Sequence, residues 1–250
     1  MKRTKLGVYL RRFIPSFIIR FIDPTSYLIK KFVSSISDEL SHGSIILDAG
    51  AGEAPFKKFF TEHKYVAIDT KWGEGNWDYS KIDIMGDLTS LPVKSQVFDA
   101  VICTQVLEHL REPEAALREF IRVLKQGGSL YLSAPQGWGI HQGPHDYFRF
   151  THYGIQYLLE KVGFAIVTIV PSCGYYGYLA NRLTVFPKTL FWQIQRRWLR
   201  LVLLPLELVS YLFFVLLFPI ILNSIDFLDK KNDYTLNYLV QAVKSHAETS

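Results

Sequence analysis

The sequence predicts a doubly wound α/β domain on a seven-stranded, mostly parallel sheet, with a hydrophobic helical insertion before the last strand. Three observations carry this expectation. Short apolar runs, several ending at an acid, recur along the chain. Segments with helical periodicity lie between the later runs. Residues 175–233 then break the rhythm, and residues 234–244 restore it with one more strand-like run.

The runs come in order. Ile45-Ile46-Leu47 ends at Asp48 and a Gly-rich turn, and Tyr65-Val66-Ala67-Ile68 ends at Asp69. A weaker strand is expected near residues 82–85, before Asp87. Residues 98–103 give the fourth strand, 129–133 the fifth and 164–170 the sixth. A helix is expected over 113–124, where Ala116, Leu117, Phe120, Ile121 and Leu124 share a face, with Gly127-Gly128 as its stop. A second is expected over 151–162, with Thr151 as N-cap and Gly163 as stop. Strands alternating with helices imply helices on both faces and a ligand beyond the carboxyl ends of the strands.

Three parts follow. Residues 1–42 read as basic amphipathic helices, 43–174 plus 234–246 as the core, and 175–233 as the insertion. The 250 residues suffice for one such domain and an appendage. Hydrophobic residues at 49% and charged residues at 20% exclude a disordered chain. The net charge of +5 suits an anionic surface. The basic residues are interleaved with long aliphatics, which favours phospholipid, so no nucleic acid partner is expected. Cys103 and Cys173 lie in no metal-ligating pattern; no metal site and no disulfide are expected. No uninterrupted signal-peptide core follows the first lysines, so the expected location is cytoplasmic, at the inner membrane face.

Asp48-Ala49-Gly50-Ala51-Gly52 puts an acid at the end of a buried strand, before two glycines in a tight turn. Glycine lets backbone approach a ligand, and a following helix N-terminus offers free amides. Pro55 stands where a dinucleotide loop needs its third glycine, and the acid suits a cationic ligand better than a pyrophosphate. The segment resembles the first motif of class I S-adenosylmethionine-dependent methyltransferases, of the type found in quinone-biosynthesis and polysaccharide-cluster enzymes. Further stretches are similar to that family's motifs: Asp69, Gly86-Asp87-Leu88 with Leu91-Pro92, residues 98–101 leading into 106–110, and residues 122–130. The resemblance implies S-adenosylmethionine as cofactor. It implies Asp48, Gly50 and Gly52 around the methionine part, Asp69 on ribose, Asp87 and Leu88 on adenine, and Gln105 lining the pocket. Plainer roles remain open: Asp48 as a helix cap, Asp69 as a turn residue, and Glu108 and His109 as capping or packing groups.

In that architecture the loop after strand five faces the reacting methyl. Here it is rich in proton-handling groups. His145, Asp146 and His141 are the candidate catalytic residues, His145 as base with Asp146 as orienter. Arg149 and Tyr147 are candidates for the substrate, Arg149 for an anionic group on it. Alternatively His145, Asp146 and Arg149 only fix the loop.

Residues 208–225 carry no charge and reach about a minimal membrane-spanning length. Trp192, Arg196, Arg197, Trp198 and Arg200 precede them as an interfacial signature. If strands six and seven share one sheet, the insertion leaves and returns on one side, as a re-entrant hairpin or an in-plane helix. The expected function is O-methylation of a lipid or lipid-linked acceptor at the membrane surface. Two rivals stay open: a methyltransferase for a soluble small molecule with the insertion as a homodimer interface, and a non-catalytic membrane-anchored module.

Overall fold

The computed structural model describes residues 24–73 and 77–245. The elements are α1 (Pro24–Glu39), β1 (Ile45–Ala49), β2 (Lys64–Asp69), β3 (Ile84–Met85), β4 (Phe98–Thr104), α2 (Pro113–Val123), β5 (Leu124–Pro135), α3 (His152–Val162), β6 (Phe164–Pro171), α4 (Tyr175–Leu183), α5 (Phe186–Trp192), α6 (Arg197–Tyr211), α7 (Phe218–Ser224) and β7 (Asn237–Lys244). A π-helical turn, Leu212–Leu217, joins α6 to α7.

The sheet order is β3-β2-β1-β4-β5-β7-β6. β2, β1, β4 and β5 run parallel, and β7 pairs antiparallel with β5. Strand alternation sorts the core into two layers. Leu47, Val101 and Cys103 pack with Leu117 and Phe120 of α2 and Leu159 of α3. Ile46, Ala100 and Ile102 pack with Val33 and Ile36 of α1. Helices thus cover both faces, and β1 and β4 carry apolar residues on each, as central parallel strands do.

The N-terminal expectation needs correction. From Ile29 onward α1 belongs to the core unit, where Val33 and Ile36 are fully buried. The amphipathic reading of residues 1–23 lies outside the described residues. α2 also ends at Val123, before the expected Gly127-Gly128, because Leu124 is already paired with Phe98 of β4. α3 starts and stops as expected. Thr151 Oγ1 accepts the Gly154 amide at 3.1 Å, and Gly163 takes the left-handed conformation at φ +101°.

The second compact unit comprises residues 171–236 together with 24–28 among the described residues. Within it α4 packs on α7 and α5 on α6, so the insertion is a helical hairpin with residues 193–196 at its turn. Its base is held by carboxylates. Asp226 accepts the amides of Gly174 at 2.8 Å and Gly177 at 2.7 Å, and Asp229 accepts that of Tyr175 at 2.7 Å. These bonds satisfy orphan amides at the start of α4. The second arm, Leu201–Leu228, is a helix of 28 residues, long and apolar enough to cross a membrane. Leu201, Val202, Leu206, Leu208 and Leu212 on it are more than half exposed.

Candidate functional site

The site forms where β1, β2 and β4 end. Gly50 follows β1 at φ +79°, a left-handed position. A Cβ there would lie 2.5 Å from Val106 Cγ2, so the turn tolerates only glycine without rearrangement. Gly52, also left-handed at φ +57°, donates its amide to Asp69 Oδ2 at 2.9 Å. Asp69 Oδ1 accepts the Lys71 amide at 2.6 Å. The acid at the end of β2 therefore ties the two loops together.

A cavity of about 410 Å³ opens above them, within the usual range for small-molecule sites. Gly50, Asp69, Asp87, Leu88 and Gln105 all line it. Asp87 Oδ1 accepts both the amide and the hydroxyl of Thr89, at 2.8 and 2.9 Å, which shapes the turn under Leu88. Gln105 adopts φ +55°, rare for a side-chain-bearing residue, and its Nε2 donates to Ser133 Oγ at 3.2 Å.

Asp48 is placed differently from the expectation. It is buried, is absent from the cavity wall, and accepts a hydrogen bond from the Tyr65 hydroxyl. Burial pushes its carboxyl up to about 7, against the opposing effect of that bond. Asp48 thus supports the turn from below, and Gly52 is likewise absent from the wall.

The loop after β5 brings His145 and Tyr147 to the cavity. The His145 ring stacks on Trp72 with centroids 5.2 Å apart, and its Nδ1 lies 3.0 Å from the Tyr147 hydroxyl oxygen. Arg111 Nε donates to the same oxygen at 2.9 Å. The expected pairing of His145 with Asp146 is not formed. Asp146 instead binds Arg149 through two parallel bonds, Nη1 to Oδ1 at 2.7 Å and Nη2 to Oδ2 at 2.8 Å. Arg149 also donates to the carbonyls of Trp138, Gly139 and Phe148. Its donors are committed to the loop, and it does not line the cavity. Asp146 and Arg149 therefore fix the loop. The Arg149 bonds hold the Asp146 carboxyl at about 2.

His141 faces a group that sequence reasoning left as a packing residue. Its Nε2 is 3.9 Å from Glu108 Oε1, and His109 Nε2 is 3.7 Å from the same atom. The Glu108 side chain is completely buried, which pushes its carboxyl up to about 8. Its backbone carbonyl accepts the amides of Tyr147 and Phe148 at 2.8 and 3.2 Å, docking the loop on the turn Leu107–His109. Sequence reasoning also missed Trp72 and Trp77. Both line the cavity, and Trp77 Cζ3 would lie 3.0 Å from a Cβ on Gly52. Their signal was two aromatics in a Gly-rich connection directly after the β2 acid.

Known proteins resemble this part of the chain. The family described as "Methyltransferase domain" matches residues 47–132. A demethylmenaquinone methyltransferase of Renibacterium salmoninarum is 35% identical over 97 residues, 36% of this chain and 41% of that protein. A ubiquinone biosynthesis O-methyltransferase of Dechloromonas aromatica is 31% identical over 85 residues, 34% of this chain and 33% of that protein. The chain therefore spans well under half the length of these relatives. Among solved structures, a Burkholderia thailandensis 1,6-didemethyltoxoflavin-N1-methyltransferase with bound S-adenosylhomocysteine superposes with a TM-score of 0.52. It is 13% identical, with 98% of this chain and 93% of that one covered, and this likeness speaks to the fold. With the sheet order, the Gly50 turn and the Asp69 tie, these matches support a class I S-adenosylmethionine-dependent methyltransferase fold for the core that contains residues 47–132.

Proposed function

We propose that the chain methylates an oxygen of a lipid or lipid-linked acceptor at a membrane surface, using S-adenosylmethionine bound in the cavity over Gly50 and Asp69. The cavity residues fit that cofactor. The bare Gly50 turn admits close approach, Asp69 offers a carboxylate for ribose hydroxyls, and Leu88 gives adenine an apolar floor. Asp87 and Gln105 stand beside it on the wall. Bound there, the cofactor supplies an electrophilic methyl group on a sulfonium sulfur.

His145 takes the proton of the acceptor hydroxyl. When its Nδ1–H donates to the Tyr147 oxygen, Nε2 carries the lone pair and becomes the basic atom. Trp72 stacked on the ring and Tyr147 at its edge hold that orientation. Asp146 and Arg149 serve the same end by holding the loop in place.

The observation that carries the lipid half is the exposed apolar arm Leu201–Leu228. Leu190, Leu201, Val202, Leu208 and Phe213 are all at least 40% exposed, and clustered exposed apolar side chains mark membrane or partner contacts. At the hairpin turn Trp192 and Trp198 are exposed, and Lys188 Nζ lies 5.4 Å from the Trp192 ring, an arrangement suited to the interface with anionic headgroups. Relatives named for menaquinone and ubiquinone biosynthesis agree with an apolar, oxygen-bearing acceptor.

Flotation with anionic phospholipid vesicles tests this. The wild-type chain should float and should methylate vesicle-borne acceptor in a membrane-lipid extract. The triple variant Leu201→Asn, Leu208→Asn, Phe213→Asn should stay in solution and still bind S-adenosylhomocysteine. Undiminished turnover of a water-soluble acceptor by lipid-free protein would overturn the lipid half. A stable homodimer dissolved by the same triple variant would assign the arm to self-association.

A further inference from the structure

The geometry points to a divalent transition-metal site formed by Glu108, His109 and His141. One ligand atom from each residue lies within 4.8 Å of the others. Ligands about 2.1 Å from a divalent cation stand roughly 3.0–3.5 Å apart, so a cation would draw these atoms together by roughly an ångström. The set arises from two segments distant in the chain: the turn Leu107–His109 after β4, and the loop after β5.

Two observations beyond proximity indicate a ligand. Glu108 Oε1 and Oε2 and His109 Nε2 are buried, and none has a hydrogen-bond partner among the described residues. The Glu108 side chain is 0% exposed, and three unmatched polar atoms at one buried point call for an ion or a water between them. Both imidazoles are also set for ligation. His109 Nδ1 lies 2.5 Å from the His145 carbonyl and His141 Nδ1 lies 3.1 Å from the Gly139 carbonyl. A backbone carbonyl can only accept, so with the hydrogen on Nδ1, the state these carbonyls favour, both Nε2 atoms present lone pairs to Glu108. Histidine ligands are characteristically oriented this way by an outer acceptor. Asp146 and Arg149 stand beside the cluster as a neutral pair, with His141 Nδ1 3.5 Å from Asp146 Oδ2.

Two imidazoles and one carboxylate select zinc, iron(II), cobalt(II) or a similar cation over magnesium and calcium, which prefer all-oxygen shells. Of the three residues His109 lines the cavity, so the cation would adjoin the wall on the side where an acceptor binds. This placement beside the acceptor rests on the methyltransferase reading; the site itself does not.

Chelator-stripped full-length protein titrated with cobalt(II), read by visible absorption, and with zinc, read by calorimetry, tests the site. One cation per chain is expected, with no comparable uptake of magnesium. Glu108→Gln and His141→Ala should each weaken binding at least about 10-fold, the loss typical of disturbing a metal shell. His141 is partly exposed in a loop, so its variant reports even where Glu108→Gln fails to fold. Asp69→Ala should lose S-adenosylhomocysteine and keep the cation, which separates this site from the cofactor reading. Absence of stoichiometric uptake, the mark of a site holding only water, would overturn the inference. Equal affinity in the wild type and His141→Ala would overturn it too.

Discussion

Replacing Arg149 by alanine removes five hydrogen bonds at once: two to Asp146 and one each to the carbonyls of Trp138, Gly139 and Phe148. The Asp146 side chain is 2% exposed, so the variant leaves a buried carboxylate with the His141 amide and, 3.5 Å away, the His141 ring as its remaining partners. Breaking a buried pair from one side costs about 3–5 kcal/mol. Arg149 is 25% exposed, and water partly screens the pair, which places the loss near about 3 kcal/mol. For a domain of this size that lowers the melting temperature by about 6–12 °C. Thermal melts of the wild type, Arg149→Ala, Asp146→Asn and the double variant form a cycle whose coupling should be about 1–3 kcal/mol. The pair also sets an acid limb. Asp146 is held at about 2 against an ordinary 3.8, so its contribution is full above about pH 4 and is lost as pH falls toward 2. That limb should vanish in Arg149→Ala. A variant that melts with the wild type and only raises KM for the acceptor would refute the clamp and return Arg149 to substrate binding.

Asp48 predicts the opposite pH dependence. Burial lifts it to about 7, so its stabilising contribution is full below about pH 4 and is lost as pH rises through 7. Asp48→Asn should flatten this limb and melt above the wild type at pH 8; an unchanged slope between pH 5 and 8 would sink the assignment. Gly50→Ala meets Val106 Cγ2 at 2.5 Å on a left-handed backbone and should weaken S-adenosylhomocysteine by at least about 10-fold in calorimetry, with partial recovery on adding Val106→Ala. Asp226→Ala removes the acceptor of the Gly174 and Gly177 amides and should destabilise the start of α4 by about 0.5–2 kcal/mol. Hydrogen exchange there should rise while the core strands keep their protection, and uniform loss of protection would count against a local cap.

The sequence by itself determined what depends on near neighbours. Apolar runs ending at Asp48 and Asp69 marked strands, because parallel strands buried on both faces read as continuous hydrophobic stretches. Thr151 and Gly163 bounded α3, because capping acts within three or four residues. Gly50, Asp69, Asp87, Leu88 and Gln105 were legible as cavity residues because each stands at the carboxyl end of a strand or in the turn beyond it. The tertiary structure decided which side chains meet across distance. His145 and Asp146 are adjacent in the chain, yet the extended loop sends one to the cavity and the other to Arg149. Glu108 and His109 gain His141 only through the docking of a later loop, so the cation cluster had no local pattern to betray it. Trp72 and Trp77 close over the cavity from the connection after β2, whose course no periodicity encodes. Apolarity announced the insertion, but only the packing of α4 on α7 and α5 on α6 made it a hairpin, because hydropathy counts apolar groups and says nothing of which faces they cover.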